Sequence, residues 1–185
     1  MTNLERQNIS FGFRQYATLC LRVVLAAAFL TSVTDRFGVW GAYGTTKVAW
    51  GDMTHFMAYA AKLNPWFPKA VIPGVAWFVT AAETVLAAAL LFGFQTRIAA
   101  QLSGWLLLAF AVGMTAGTGV KSALNASVFS ASAGAFLLAA AENFPISVDS
   151  LRKSRGRDPV REACTKSQLK NACAALHSIR KQRDR

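Results

Sequence analysis

Two ionisable side chains interrupt apolar runs that are long enough to cross a bilayer. Glu83 lies in the middle of Val71–Phe94, and Arg22 lies inside Tyr16–Val33. A charge at the centre of a spanning helix costs from about 2.5 kcal/mol upward, so such residues face a partner or a wet cavity. At roughly 1.5 Å per residue, Arg22 sits about 9 Å in from the N-terminal side of its run. Glu83 sits about 15 Å from the same surface on a run of opposite direction. An arginine side chain covers the difference, so Arg22 and Glu83 are the expected pair. Such a pair can simply neutralise itself and fix helix register. Alternatively, Glu83 is a carboxylate that handles a proton or a quinol in a polar pocket, with Arg22 beside it or snorkelling to the headgroups. These two are the candidate catalytic residues.

Other polar groups could line a small site. Asn125, Ser127, Ser130 and Ser132 put an amide and three hydroxyls into the last apolar run, and Gln101 could extend the patch. Interhelical hydrogen bonds are the ordinary use of such groups. Asn125 and Ser130 are kept as candidate substrate-binding residues. His55 is one of two histidines, with His177, and an ordinary imidazole can exchange protons near neutral pH. It is a candidate for contact with a quinol at the membrane surface, or else the wet face of a surface helix. Asp35-Arg36 closes the first run, either as a polar helix end or facing Lys121-Ser122 across the mouth of a site. Asp35 joins the candidates on that basis. No second His or Cys stands at ligand spacing near His55, and no histidine lies within an apolar run for haem, so no metal is expected.

The elements that position these residues are membrane spans. The chain has 185 residues, 54% hydrophobic and 16% charged, with a mean hydropathy of +0.32. Soluble domains carry about 25% charged residues. Four runs reach spanning length, roughly 16–33, 71–94, 98–116 and 124–141. The first holds Arg22 and is followed by no small-x-small cleavage site, so it is expected to be retained as a span. Small residues recur every fourth position in the third run (Ala109, Gly113, Gly117) and the fourth (Ser122, Ala126, Ser130, Gly134). Both stripes read as packing seams. The expected fold is all-α, an integral membrane four-helix bundle.

Charge sets the expected orientation. Fourteen Lys/Arg fall on the side of the N-tail (1–15), Arg97 and the C-tail, and five on the other. Both termini are therefore expected in the cytoplasm. The net charge is +11, of which +7 lies from Ile146 onward. This basic tail, 146–185, is expected to meet anionic lipid rather than nucleic acid. It has a helical pattern through Leu169, Ala172, Cys173, Leu176 and Ile179, or is largely solvated. Cys20, Cys164 and Cys173 form no Cys-x-x-Cys, so a thioredoxin-like cysteine pair is not expected.

The external connection, 34–70, is aromatic and turn-rich. Asp52 is placed to cap a short interfacial helix ending before Asn64-Pro65, with Met53, Phe56, Met57 and Ala60 on one face and His55, Tyr59 and Lys62 on another.

Several phrases together resemble the DoxX family of small four-helix bacterial membrane proteins. They are Leu21-Arg22-Val23-Val24-Leu25 continuing through Phe29 to Asp35-Arg36-Phe37, Ala82-Glu83 leading into Leu91-Phe92-Gly93-Phe94-Gln95-Thr96-Arg97, Lys121-Ser122-Ala123-Leu124-Asn125, and Ser147-Val148-Asp149-Ser150-Leu151. The likeness covers about 14–152. It implies a bacterial inner-membrane protein and a non-haem membrane subunit of a quinone-linked or thiol-redox oxidoreductase complex. A quinone and a redox partner protein come with that expectation, and no cofactor motif accompanies it. The competing expectation is a non-catalytic membrane scaffold, or a small-solute or lipid-handling protein, whose intramembrane charges are structural. Assembly with further copies of the chain is open under either.

Overall fold

The structure, a computed structural model, describes the backbone of residues 3–141 and the side chains of 13–141. The basic tail, 146–185, with its expected lipid contacts, lies outside the described residues. The described chain is all-helical: α1 (Asn3–Arg36), α2 (Met53–Leu63), α3 (Ile72–Phe92), α4 (Thr96–Thr118), α5 (Val120–Asn125) and α6 (Val128–Ala140). Phe13–Arg36, Ile72–Phe92 and Thr96–Thr118 are long and apolar enough to cross a membrane. Large apolar side chains such as Phe78, Phe92, Trp105 and Leu137 point outward from these helices and α6. Outward apolar groups of that size are what a hydrocarbon solvent requires.

Local chemistry sets the helix ends. Pro73 opens α3, where its missing N–H is no loss. Gly93 closes α3 in the left-handed region (φ 69°), and the N–H groups of Gly93 and Phe94 both return to the Ala89 carbonyl. Asp52 caps α2 by accepting from the His55 N–H at 2.8 Å, and α2 ends at Leu63 before Asn64-Pro65, as the sequence predicts. α2 buries Phe56, Ala60 and Leu63 against the long helices. The first helix runs past its predicted end at Val33 to Arg36.

The fourth predicted run is divided. Ser127 adopts φ 56°, which breaks the helix between α5 and α6. The 13 residues of α6 rise only about 20 Å, short of a ~30 Å hydrocarbon core.

The main packing partners are α4 with α6 and α1 with α3. The α4–α6 seam uses Ser132, Ala135, Leu138 and Ala139, all buried, and the Ser132 hydroxyl donates to the Gly104 carbonyl at 2.9 Å. The predicted stripe in the last run is not this seam: Ala126 and Ser130 are exposed. In α4, Ala109 is exposed too, whereas Gly113 and Gly117 receive the end of α2. A Cβ on Gly117 would fall 2.6 Å from the Leu63 Cα and the Lys62 carbonyl oxygen. Short-period stripes show where backbones can approach, but the partner is chosen by the whole arrangement.

Packing differs between the two halves of the molecule. Leu25, Ala26, Phe29, Leu86, Ala87, Leu90, Ala99, Ala100, Ala135, Leu138 and Ala139 form one close-packed core. It occupies the half that contains the C-terminal part of α3 and the start of α4. The other half, where α2 sits, is open.

Candidate functional site

The open half contains a chamber of about 400 Å³ walled by α1, α2, α3, α4 and the Ala126–Ala131 stretch. Small side chains leave the space, among them Ala28, Ala60, Ala76 and Ala131, and Phe29, Phe56, Phe110 and Met114 complete an apolar wall. Pockets of this size, apolar with a few fixed polar groups, are what small-molecule sites look like.

The polar groups come from the ends of α1 and the middle of α3. Arg36 and Glu83 both line the chamber and are almost wholly buried. Arg36 Nη2 donates to Glu83 Oε1 at 3.0 Å, and Nη1 stands 2.7 Å from Oε2. Nη1 also donates to Thr80 Oγ1 at 2.7 Å and Nη2 to Ser32 Oγ at 3.2 Å. The guanidinium lies over the Phe56 ring, 3.7 Å from its centroid, and 5.4 Å from that of Trp50. Helical side chains lean toward the N-terminus, so Arg36 at the end of α1 points back along α1, past Ser32, to Glu83. Arg36 Nε, a donor, remains without a hydrogen-bond partner, and Glu83 Oε2 is held by the close contact with Nη1 without an aligned hydrogen bond.

This corrects the expected pair. Arg22 does not meet Glu83. Its Nε donates to the Leu90 carbonyl at 3.1 Å and Nη2 to the Leu91 carbonyl at 3.4 Å. Those carbonyls belong to the last turn of α3, where the helix leaves acceptors unsatisfied and carries its negative dipole end. Arg22 is thus a buried cap for α3. Depth measured along each helix favoured Arg22, but helix rotation and the extra turn of α1 bring Arg36 to the carboxylate. The signals for Arg36 were Ser32 four residues before it and Thr80 three before Glu83, which place hydroxyls on the two facing stripes.

The other candidates separate. Asp35 is buried, and its Oδ2 accepts from the Trp50 N–H at 2.8 Å; it faces this loop and not Lys121. Asn125 and Ser130 are exposed and do not line the chamber. His55 is also outside it. Its ring nitrogen Nδ1 lies 2.8 Å from Asp52 Oδ2, and the Tyr43 ring stacks on it at 3.7 Å between centroids. The His55 backbone N–H, with its ring beside it, holds the Asp52 carboxyl below its ordinary range. Burial pushes the Tyr59 phenol up. Phe56 and Tyr59, expected only on the faces of an interfacial helix, line the chamber, and Trp50 joins them from the loop before α2.

Among the described residues, no group of three or more His, Cys, Asp or Glu could hold a metal. Comparison of the chain with protein-family models, curated proteins and solved structures gives no match.

Proposed function

We propose that the chamber binds the head group of a small lipophilic molecule that both donates and accepts a hydrogen bond, the quinol/quinone class. The observation that carries this reading is the buried Arg36–Glu83 pair at the chamber wall, where Glu83 Oε2 has lone-pair capacity beyond its 2.7 Å contact with Arg36 Nη1, and Arg36 Nε has no hydrogen-bond partner. A hydroxyl can donate to the first and an oxygen can accept from the second, while the aromatic and aliphatic wall takes a flat apolar ring. A buried donor left unsatisfied costs about 1–3 kcal/mol, and a ligand oxygen accepting from Arg36 Nε recovers it.

In this reading the chain is a DoxX-like, non-haem subunit of a membrane oxidoreductase complex, and a partner protein supplies the redox centre. It is a four-helix membrane domain in a bacterial inner membrane, with α2 on the outer rim and both termini in the cytoplasm. The α5–α6 segment completes the fourth crossing. The charge asymmetry of the sequence supports that orientation.

A second reading is favoured by the closeness of the pair. Arg36 is held by Glu83, Thr80, Ser32 and the Phe56 ring together, which suits a purely structural charge in a scaffold. Purification in mild detergent followed by mass spectrometry for lipids and proteins separates the two. Quinone retained by wild type and lost from Glu83→Gln supports the ligand reading. Equal quinone in both, or none in either, supports the scaffold.

A further inference from the structure

A second cavity, about 460 Å³, lies beside the chamber and is lined by Tyr43, His55 and Lys62. Its lining also includes Trp50 and Tyr59, and both of these line the chamber as well. The two cavities therefore adjoin at these two aromatic side chains. Their rings lie 5.9 Å apart between centroids and tilted at 50°. On the Trp50 side the boundary is not part of a long helix: Trp50 lies in the loop between α1 and α2. That loop is folded tightly, since a Cβ on Gly51 (φ 70°) would lie 2.4 Å from the Tyr43 backbone nitrogen. The Trp50 backbone is fastened to α1 by the bond from its main-chain N–H to Asp35 Oδ2, which fixes the loop from which the indole ring projects.

We propose that the outer cavity is the entrance site of the chamber, and that Trp50 and Tyr59 form the gate between them, latched by Asp35. This rests on the reading of the chamber as a ligand site. The entrance is chemically suited to the same amphipathic class. Its polar side chains, Lys62, His55 and the two tyrosines, can hold an oxygen-bearing head group, while the Tyr43 and Trp50 rings offer stacking faces. A molecule with one polar head then passes from one oxygen-binding site to the next without leaving its head group unsatisfied. The route runs from the loop side of the molecule and does not require exit between α1, α3 or α4 into lipid.

The test uses the full chain in detergent with Cys20, Cys164 and Cys173 replaced by Ser, and a reporter thiol in the chamber, Val79→Cys. The probe is the anionic, water-borne thiol reagent 2-sulfonatoethyl methanethiosulfonate, and the readout is the mass gained with time. The reporter is expected to react in the folded protein. Plugging the entrance with Ala58→Trp or Ala49→Trp, at exposed positions that line only the outer cavity, is expected to slow the reaction about tenfold or more, as for any step whose barrier is raised. Asp35→Ala should speed it, and Asp35→Asn, which keeps an acceptor, should not. A reporter that reacts only after denaturation, or reacts equally fast in both plugged variants, overturns the proposal. Duroquinone binding, followed by tryptophan quenching, separates this from the reading of the ligand. Plug-sensitive labelling without duroquinone binding keeps the gate and removes the quinone class. Binding of duroquinone with plug-insensitive labelling does the reverse.

Discussion

Arg36 and Glu83 meet from the end of one helix and the middle of another, with contacts of 2.7 and 3.0 Å between guanidinium and carboxylate. Neither has bulk water to fall back on, so removing one leaves the other charged in an apolar half of the molecule. Glu83→Ala or Arg36→Leu alone is expected to lower stability by about 3–5 kcal/mol. The double variant Arg36→Leu/Glu83→Leu should regain most of that loss. Thermal unfolding in detergent, read by size-exclusion profile, checks this. Single variants as stable as wild type would show that the pair is not the main occupant of each other's field.

Arg22 makes a different prediction. Two of its hydrogen bonds go to the last turn of α3, so Arg22→Leu should cost at least about 1–3 kcal/mol for the carbonyls it abandons. Because Glu83 is not its partner, Glu83→Leu should not rescue Arg22→Leu. The two losses should add within about 0.5 kcal/mol, as for separated sites. A measured rescue by the double variant would restore the Arg22–Glu83 pairing.

Gly113 and Gly117 lie four residues apart on α4 but should respond oppositely to alanine. A Cβ on Gly113 would meet only Asn64 Oδ1 and Leu63 Cβ at 3.9 Å, so Gly113→Ala should be neutral or gain up to about 1 kcal/mol in helix propensity. Gly117→Ala drives a methyl into the backbone of Lys62 and Leu63 and should cost about 1–3 kcal/mol. Comparing the unfolding midpoints of the two variants decides this. Equal midpoints would mean that α2 is not seated on Gly117.

Asp52 gives the helix α2 a pH dependence. Hydrogen bonds from His55 hold its carboxyl below the ordinary 3.8. A carboxyl lowered in the folded state stabilises fully above its unfolded value, and the contribution disappears as pH falls through the folded value. The protection factor of the His55 amide, its exchange rate relative to an unstructured peptide at the same pH, should therefore fall on acidification from about pH 6 to below pH 4, the carboxylate range. Asp52→Asn, which caps without titrating, should flatten that response. An unchanged acid response in the Asn variant would place its origin elsewhere.

The apolar runs, the bounds of α3 and α4 within a few residues, the Asp52 cap and the stop at Asn64-Pro65 were legible in the chain, because each depends on neighbours in sequence, whereas α1 begins at Asn3, well before the expected 16. Glu83 stood out for the same reason: a lone carboxylate in an apolar run needs a partner whatever the fold. The identity of that partner was not local. Depth along two antiparallel helices favoured Arg22, and only the facing of α1 against α3 brings Arg36 and Ser32 onto one point with Thr80. The chamber has no sequence signature either, since alanines pack tightly in one half of the molecule and leave space in the other. The break at Ser127 likewise needed the backbone, because a serine in an apolar run is equally at home in a continuous helix. The sequence by itself determined which segments are helical and apolar and which charge required burial. The tertiary structure decided which charge meets it and where the space lies, because both depend on helix rotation and on the seating of α2, quantities that no pattern along one strand of residues encodes.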